Sequence, residues 1–89
     1  MNSRITEDFL RSYRRLPNDV RTQARKAYRL FQENPQHPSL QFKRIHSSKP
    51  IYSARVNLSY RTLGILENET IIWFWIGSHS EYDRLISKI

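Results

Sequence analysis

The feature that most constrains this chain is a change of hydrophobic period at Pro35 and Pro38. Two prolines so close together forbid a continuing helix and impose an extended or turned backbone. Before them, apolar residues recur at helical spacing. Ile5, Phe9, Tyr13 and Leu16 make one stripe, and Val20, Ala24, Ala27 and Phe31 make another. Thr6 can cap the first helix, with Glu7 and Asp8 in its first turn. Pro17 suits the start of the second helix, and so short a connection predicts an antiparallel hairpin.

After the prolines the period becomes two. Strands are expected at 40–45, 51–56, 60–66 and 70–76, the last three joined by turns short enough for an antiparallel meander. The last of these, Ile71 to Ile76, is apolar on both faces and belongs inside a sheet. Gly77 is read as its end. Ser78-His79-Ser80-Glu81 then fits a capping box that opens a short terminal helix with Tyr82, Leu85 and Ile86 turned inward. Helices followed by strands indicate an α+β fold, in the order ααββββα. A helical hairpin packs on a small antiparallel sheet, and a short C-terminal helix follows. Residues 1–89 make one domain.

Charge is distributed unevenly. Residues 1–50 hold 11 Lys and Arg against 4 Asp and Glu, whereas residues 51–89 hold 4 of each. The net +7 therefore sits in the first half, where it solubilises the surface or attracts a polyanion. Arg21, Arg25 and Arg29, spaced by four, mark either a solvated face or a docking stripe. Without cysteine, clustered carboxylates, zinc-spaced histidines or a Gly-rich phosphate loop, no cofactor or metal is expected. The absence of a signal sequence or an apolar span predicts a cytoplasmic protein that does not enter the membrane.

Two segments carry chemistry. In the first, Arg55-Val56-Asn57-Leu58-Ser59-Tyr60-Arg61, the arginines flank a turn on adjacent strands and can reach one sheet face. Guanidinium forks suit phosphate oxygens, although Glu67, Glu69 or Glu81 are alternative partners. In the second, His79 falls in the first turn of the last helix with Tyr82 one turn on, either as acid–base groups or as an exposed histidine above a core tyrosine. Trp73 and Trp75 are strand aromatics suited to the core or to stacking bases.

Together, the basic helical hairpin, the Arg-x-x-x-x-Tyr-Arg hairpin and the segment Trp75-Ile76-Gly77-Ser78-His79-Ser80-Glu81-Tyr82-Asp83 resemble the RelE/ParE toxin superfamily along nearly the whole chain. The resemblance implies the toxin of a type II toxin–antitoxin pair. RelE-type members cut mRNA on the ribosome, while ParE-type members share the fold and inhibit DNA gyrase. By that resemblance His79, Arg61, Tyr82 and Arg55 are the catalytic candidates, and no cofactor or metal is implied. Arg55 and Arg61, with Lys43, Arg44 and Lys49, are candidates for contacting RNA, and Arg21, Arg25 and Arg29 for meeting an acidic antitoxin. Some relatives carry lysines on the strand before the first arginine, where this chain has Ile51 and Ser53.

Overall fold

The computed structural model describes residues 1–89. Its elements are β1 (Asn2–Ile5), α1 (Glu7–Arg14), α2 (Asn18–Glu33), β2 (Lys43–Arg44), β3 (Ile51–Arg55), β4 (Tyr60–Glu67), β5 (Thr70–Ser78) and α3 (His79–Ile86). The five strands form one mixed sheet in the order β1-β5-β4-β3-β2. The α+β architecture and the antiparallel meander of β3, β4 and β5 agree with the sequence reading.

Three expectations need correction. The first concerns the N-terminus, where residues 2–5 form an edge strand parallel to β5, with Ile5 opposite Trp73. Ile5 therefore precedes the helix instead of starting its apolar stripe. Thr6 still caps that helix, its Oγ1 accepting from the Phe9 N–H at 3.1 Å. The second concerns 40–45, which is not a continuous strand. Pro38–Leu40 form a 3-10 turn, Gln41 follows in the left-handed region, and only Lys43 and Arg44 pair with β3. Proline fixes the φ of that first turn residue, which favours the turn over extension. The third concerns Gly77, which does not end its strand, since β5 continues through Ser78.

Both faces of the sheet are covered, and a bulge in β5 divides its tryptophans between them. Leu63 pairs with Trp75 and Gly64 with Trp73, so Phe74 is the extra residue. The bulge offsets the alternation and sends the two rings to opposite faces. Trp73 packs with Phe31, Leu40, Ala54 and Ile71 beneath α1 and α2. Trp75 packs with Leu63, Ile51 and Tyr82 beneath α3. Phe31 meets the Trp73 ring edge-on at 5.3 Å, a geometry that adds to area burial. Each face thus has its own apolar cluster, with Leu63 and Ile71 fully buried.

Gly64 is a tight backbone position in this arrangement. A Cβ there would lie 2.8 Å from the Trp73 ring and 2.9 Å from the Ile71 side chain. Gly64→Ala is therefore expected to destabilise the fold by roughly 1–3 kcal/mol, the usual cost of overpacking a filled core. The shift of a urea-unfolding midpoint measures it. An unchanged midpoint would show that the tryptophan yields without cost.

Candidate functional site

The β3–β4 hairpin sets the site. Arg55 and Arg61 are direct cross-strand partners, so both side chains leave the same face of the sheet. The next residue across from Arg61, on β5, is Gly77. With no side chain there, the Trp75 ring occupies the space over Gly77 and would lie 2.6 Å from an added Cβ. Asn57 shapes the turn, its Oδ1 accepting from the N–H groups of Ser59 and Tyr60 at 2.7 and 2.9 Å.

Both arginines are pinned by backbone carbonyls rather than by carboxylates. Arg61 Nη1 donates to Asn57 O at 2.6 Å and to Tyr60 O at 3.0 Å. Arg55 Nε donates to Ser39 O at 3.1 Å. Glu67, Glu69 and Glu81 make no ion pair with either. Burial, and then the like charge of Arg55, lower the pKa of Arg61, while Tyr82 and Asp83 raise it. Arginine remains charged even so. Two unpaired cations side by side form a site that attracts an anion.

The start of α3 closes the other side. Ser78 and Glu81 form the expected capping box, with the Ser78 Oγ accepting from the Glu81 N–H and the Glu81 carboxylate accepting from the Ser78 N–H. The Ser78 N–H, and then the Ser78 hydroxyl, donate to the Glu81 carboxylate and hold it below its ordinary pKa. The His79 N–H donates to Ser59 O at 2.7 Å, tying this helix start to the arginine hairpin. The His79 Nδ1 lies 3.1 Å from the Asp83 carboxylate one turn along. A neutral ring that donates from Nδ1 presents Nε2 as an acceptor. The Tyr82 ring is buried in the core under α3 and meets the His79 ring edge-on at 6.0 Å.

A cavity of about 220 Å³ joins these pieces. Arg55 and Arg61 line it from the hairpin, and His79 and Tyr82 from α3. Lys43, Gln41 and the buried Ser53 complete the wall. All four catalytic candidates thus meet in one concavity, and its lining holds no carboxylate.

The RNA-contact candidates separate. Lys43 reaches the cavity from β2, directly opposite Ser53. Lys43 therefore brings a cation beside the Ser53 position of β3. Arg44 and Lys49 do not line the cavity. Arg44 follows Lys43 onto the other side of its strand and donates to His46 O at 3.0 Å, while the Lys49 N–H donates to the His46 ring at 2.9 Å.

The arginine stripe divides as well. Arg21 turns back to cap α1 through Arg14 O at 3.0 Å. Arg25 donates to the Tyr13 hydroxyl at 2.6 Å and, with Arg29, borders a groove between α1 and α2. That groove has a volume of about 460 Å³ and an apolar floor formed by Ile5, Phe9, Leu10 and Ala24.

Two contributors have no role in the sequence reading. Asp83 is findable from its spacing of four from His79 on a helix. Gln41 has no such signal, because its place depends on the unexpected 3-10 turn. No group of three His, Asp or Glu side chains is placed to hold a metal ion. No helix is long and apolar enough to cross a membrane.

Solved structures share this fold. The RelB–RelE antitoxin–toxin complex of Methanococcus jannaschii contains a chain similar to this one with a TM-score of 0.72 and 20% identity, covering 90% of this chain and 95% of that one. The RelBE2 toxin–antitoxin complex of Mycobacterium tuberculosis gives a TM-score of 0.70 at 20% identity, covering 88% and 96%. YafQ of E. coli gives 0.69 at 14% identity, covering 91% and 96%. No curated protein sequence matches the chain. The family model of the ParE-like toxin domain matches residues 18–84, which include all of α2 and the sheet from β2 to β5. With that match and a RelE-like fold, the chain belongs to the ParE-like toxin family.

Proposed function

We propose that this toxin is an endoribonuclease that cleaves mRNA on the ribosome and so stops translation in the cytoplasm. The observation that carries this reading is the cavity in which His79 and Tyr82 face Arg55, Arg61 and Lys43 without a competing carboxylate in the lining. A base removes the proton of an RNA 2′-hydroxyl, whose oxygen attacks the adjacent phosphorus. The P–O5′ bond breaks, and an acid protonates the departing 5′-oxygen, leaving a 2′,3′-cyclic phosphate and a 5′-hydroxyl. His79, oriented by Asp83, serves as acid or base. Arg61, with Arg55 and Lys43, stabilises the extra charge on the phosphoryl oxygens. Tyr82 positions the substrate or relays a proton. A translation extract with primer extension on the message tests this directly. Discrete new 5′ ends are expected, whereas gyrase-dependent DNA breakage with an intact message would instead identify a ParE-type inhibitor.

The cognate partner in this reading is an acidic antitoxin that orders against the α1–α2 groove. The apolar floor suits the apolar face of a helix, and Arg25 and Arg29 on the rim suit its carboxylates. The RelB–RelE complex of Methanococcus jannaschii supports such a pairing, since it joins a chain of this fold to an antitoxin. Replacing Arg21, Arg25 and Arg29 with Gln is expected to lower the association rate about tenfold at low salt and to flatten its salt dependence. Stopped-flow association across a salt series measures this. Identical slopes for parent and variant would assign the stripe to solvation alone.

A further inference from the structure

Gln41 stands apart among the residues that line the cavity. Its backbone is left-handed, at φ 46° and ψ 42°, a region in which side chains other than glycine and asparagine are strained. Two other residues share a positive φ, Asn68 and Glu69, but a two-residue hairpin between paired Glu67 and Thr70 requires it of both. At Gln41 the conformation ends the 3-10 turn, with the Gln41 N–H donating to Pro38 O at 3.2 Å. Glycine would do this without strain. Strain retained beside a cavity points to a use for the side chain.

The chemistry of the lining narrows that use. Arg55, Arg61 and Lys43 offer only donors and suit phosphate. His79 and Tyr82 suit proton transfer. Gln41 alone brings an amide, a neutral donor and acceptor side by side, and the residue is exposed and lines the cavity. Such an amide pairs bidentately with adenine, accepting from N6–H and donating to N7. Guanine presents two acceptors on that edge, so the amide oxygen would face an oxygen. In single-stranded RNA these base edges are free to be read.

We propose that Gln41 is a specificity-determining residue that reads an adenine next to the scissile phosphate. This rests on the ribonuclease reading of the same cavity. The test maps cleavage ends by primer extension on a message translated in extract, for the parent, Gln41→Gly and Gln41→Arg. The parent is expected to favour adenine at one fixed position beside the cut by roughly 5- to 150-fold, the discrimination given by one bidentate pair. Gln41→Gly relieves the backbone strain, so it should fold and cleave but lose that preference. Gln41→Arg should move the preference toward guanine, whose N7 and O6 both accept from a guanidinium. A parent profile without adenine at a fixed position overturns the assignment. So do profiles unchanged in both variants, and so does a folded Gln41→Gly protein that no longer cleaves, which would make the residue catalytic. A parent that cuts no message removes the ribonuclease reading itself, and the assignment with it.

Discussion

His79→Ala protein is expected to cleave message at least about 10²-fold more slowly than its parent, the lower range for losing a general acid or base. The expectation comes from position as well as residue type. His79 opens α3 and is anchored by its own N–H to Ser59 O, so the backbone under the imidazole is fixed by the hairpin that carries Arg61. Asp83 fixes the ring from the other side. Folding should survive the substitution, because a polar contact between two half-exposed side chains is worth about 0–1 kcal/mol and the capping box belongs to Ser78 and Glu81. Asp83→Asn should give an intermediate loss, since the ring remains but its orientation is no longer enforced by a charge. Initial rates of message cleavage, beside a thermal melt of each protein, separate chemistry from stability. A folded His79→Ala protein that cleaves at the parent rate would remove the histidine from the mechanism.

Much of this arrangement is legible in the sequence, and the reasons are physical. The arginine pair can be placed because a tight turn between period-two strands fixes which residues face one another. The His79 helix start can be placed because Ser78 and Glu81 have a spacing that few other local structures use. The features that are not legible depend on pairing between distant parts of the chain. Residues 2–5 show no alternation and form a strand only because β5 offers a free edge almost seventy residues later. The bulge at Phe74 is equally silent, since an apolar run reads the same with or without an offset. Gln41 combines both difficulties. It lies in a stretch where alternating apolar residues suggest a strand, but Pro38 starts a 3-10 turn and Leu40 is drawn into the core beneath α2. Lys43 is an RNA-contact candidate from its charge alone, but its place beside Ser53 depends on the pairing of β2 with β3.

Arg61→Ala is expected to cost about 10²- to 10³-fold in cleavage rate, the range for removing one preorganised donor from a developing oxyanion. The ground state already shows why this arginine is available. Its bonds to Asn57 O and Tyr60 O use a single nitrogen, Nη1. No carboxylate pairs with the guanidinium, and its cross-strand neighbour on the same face is the cation of Arg55. A phosphate gaining negative charge relieves that repulsion, so the interaction strengthens as the transition state is approached and raises the rate rather than the affinity alone. The effect on folding works in two directions. Losing the bonds to two turn carbonyls weakens the hairpin, whereas removing a partly buried charge beside Arg55 favours it, because both burial and that neighbour oppose the charged form. Arg61→Lys distinguishes the contributions. It keeps the charge but loses the planar fork, so it should recover only part of the rate if two oxygens are held at once. Complete recovery with Lys would reduce the requirement to a point charge, and parent-like cleavage by a folded Arg61→Ala protein would place the oxyanion against Arg55 and Lys43 instead.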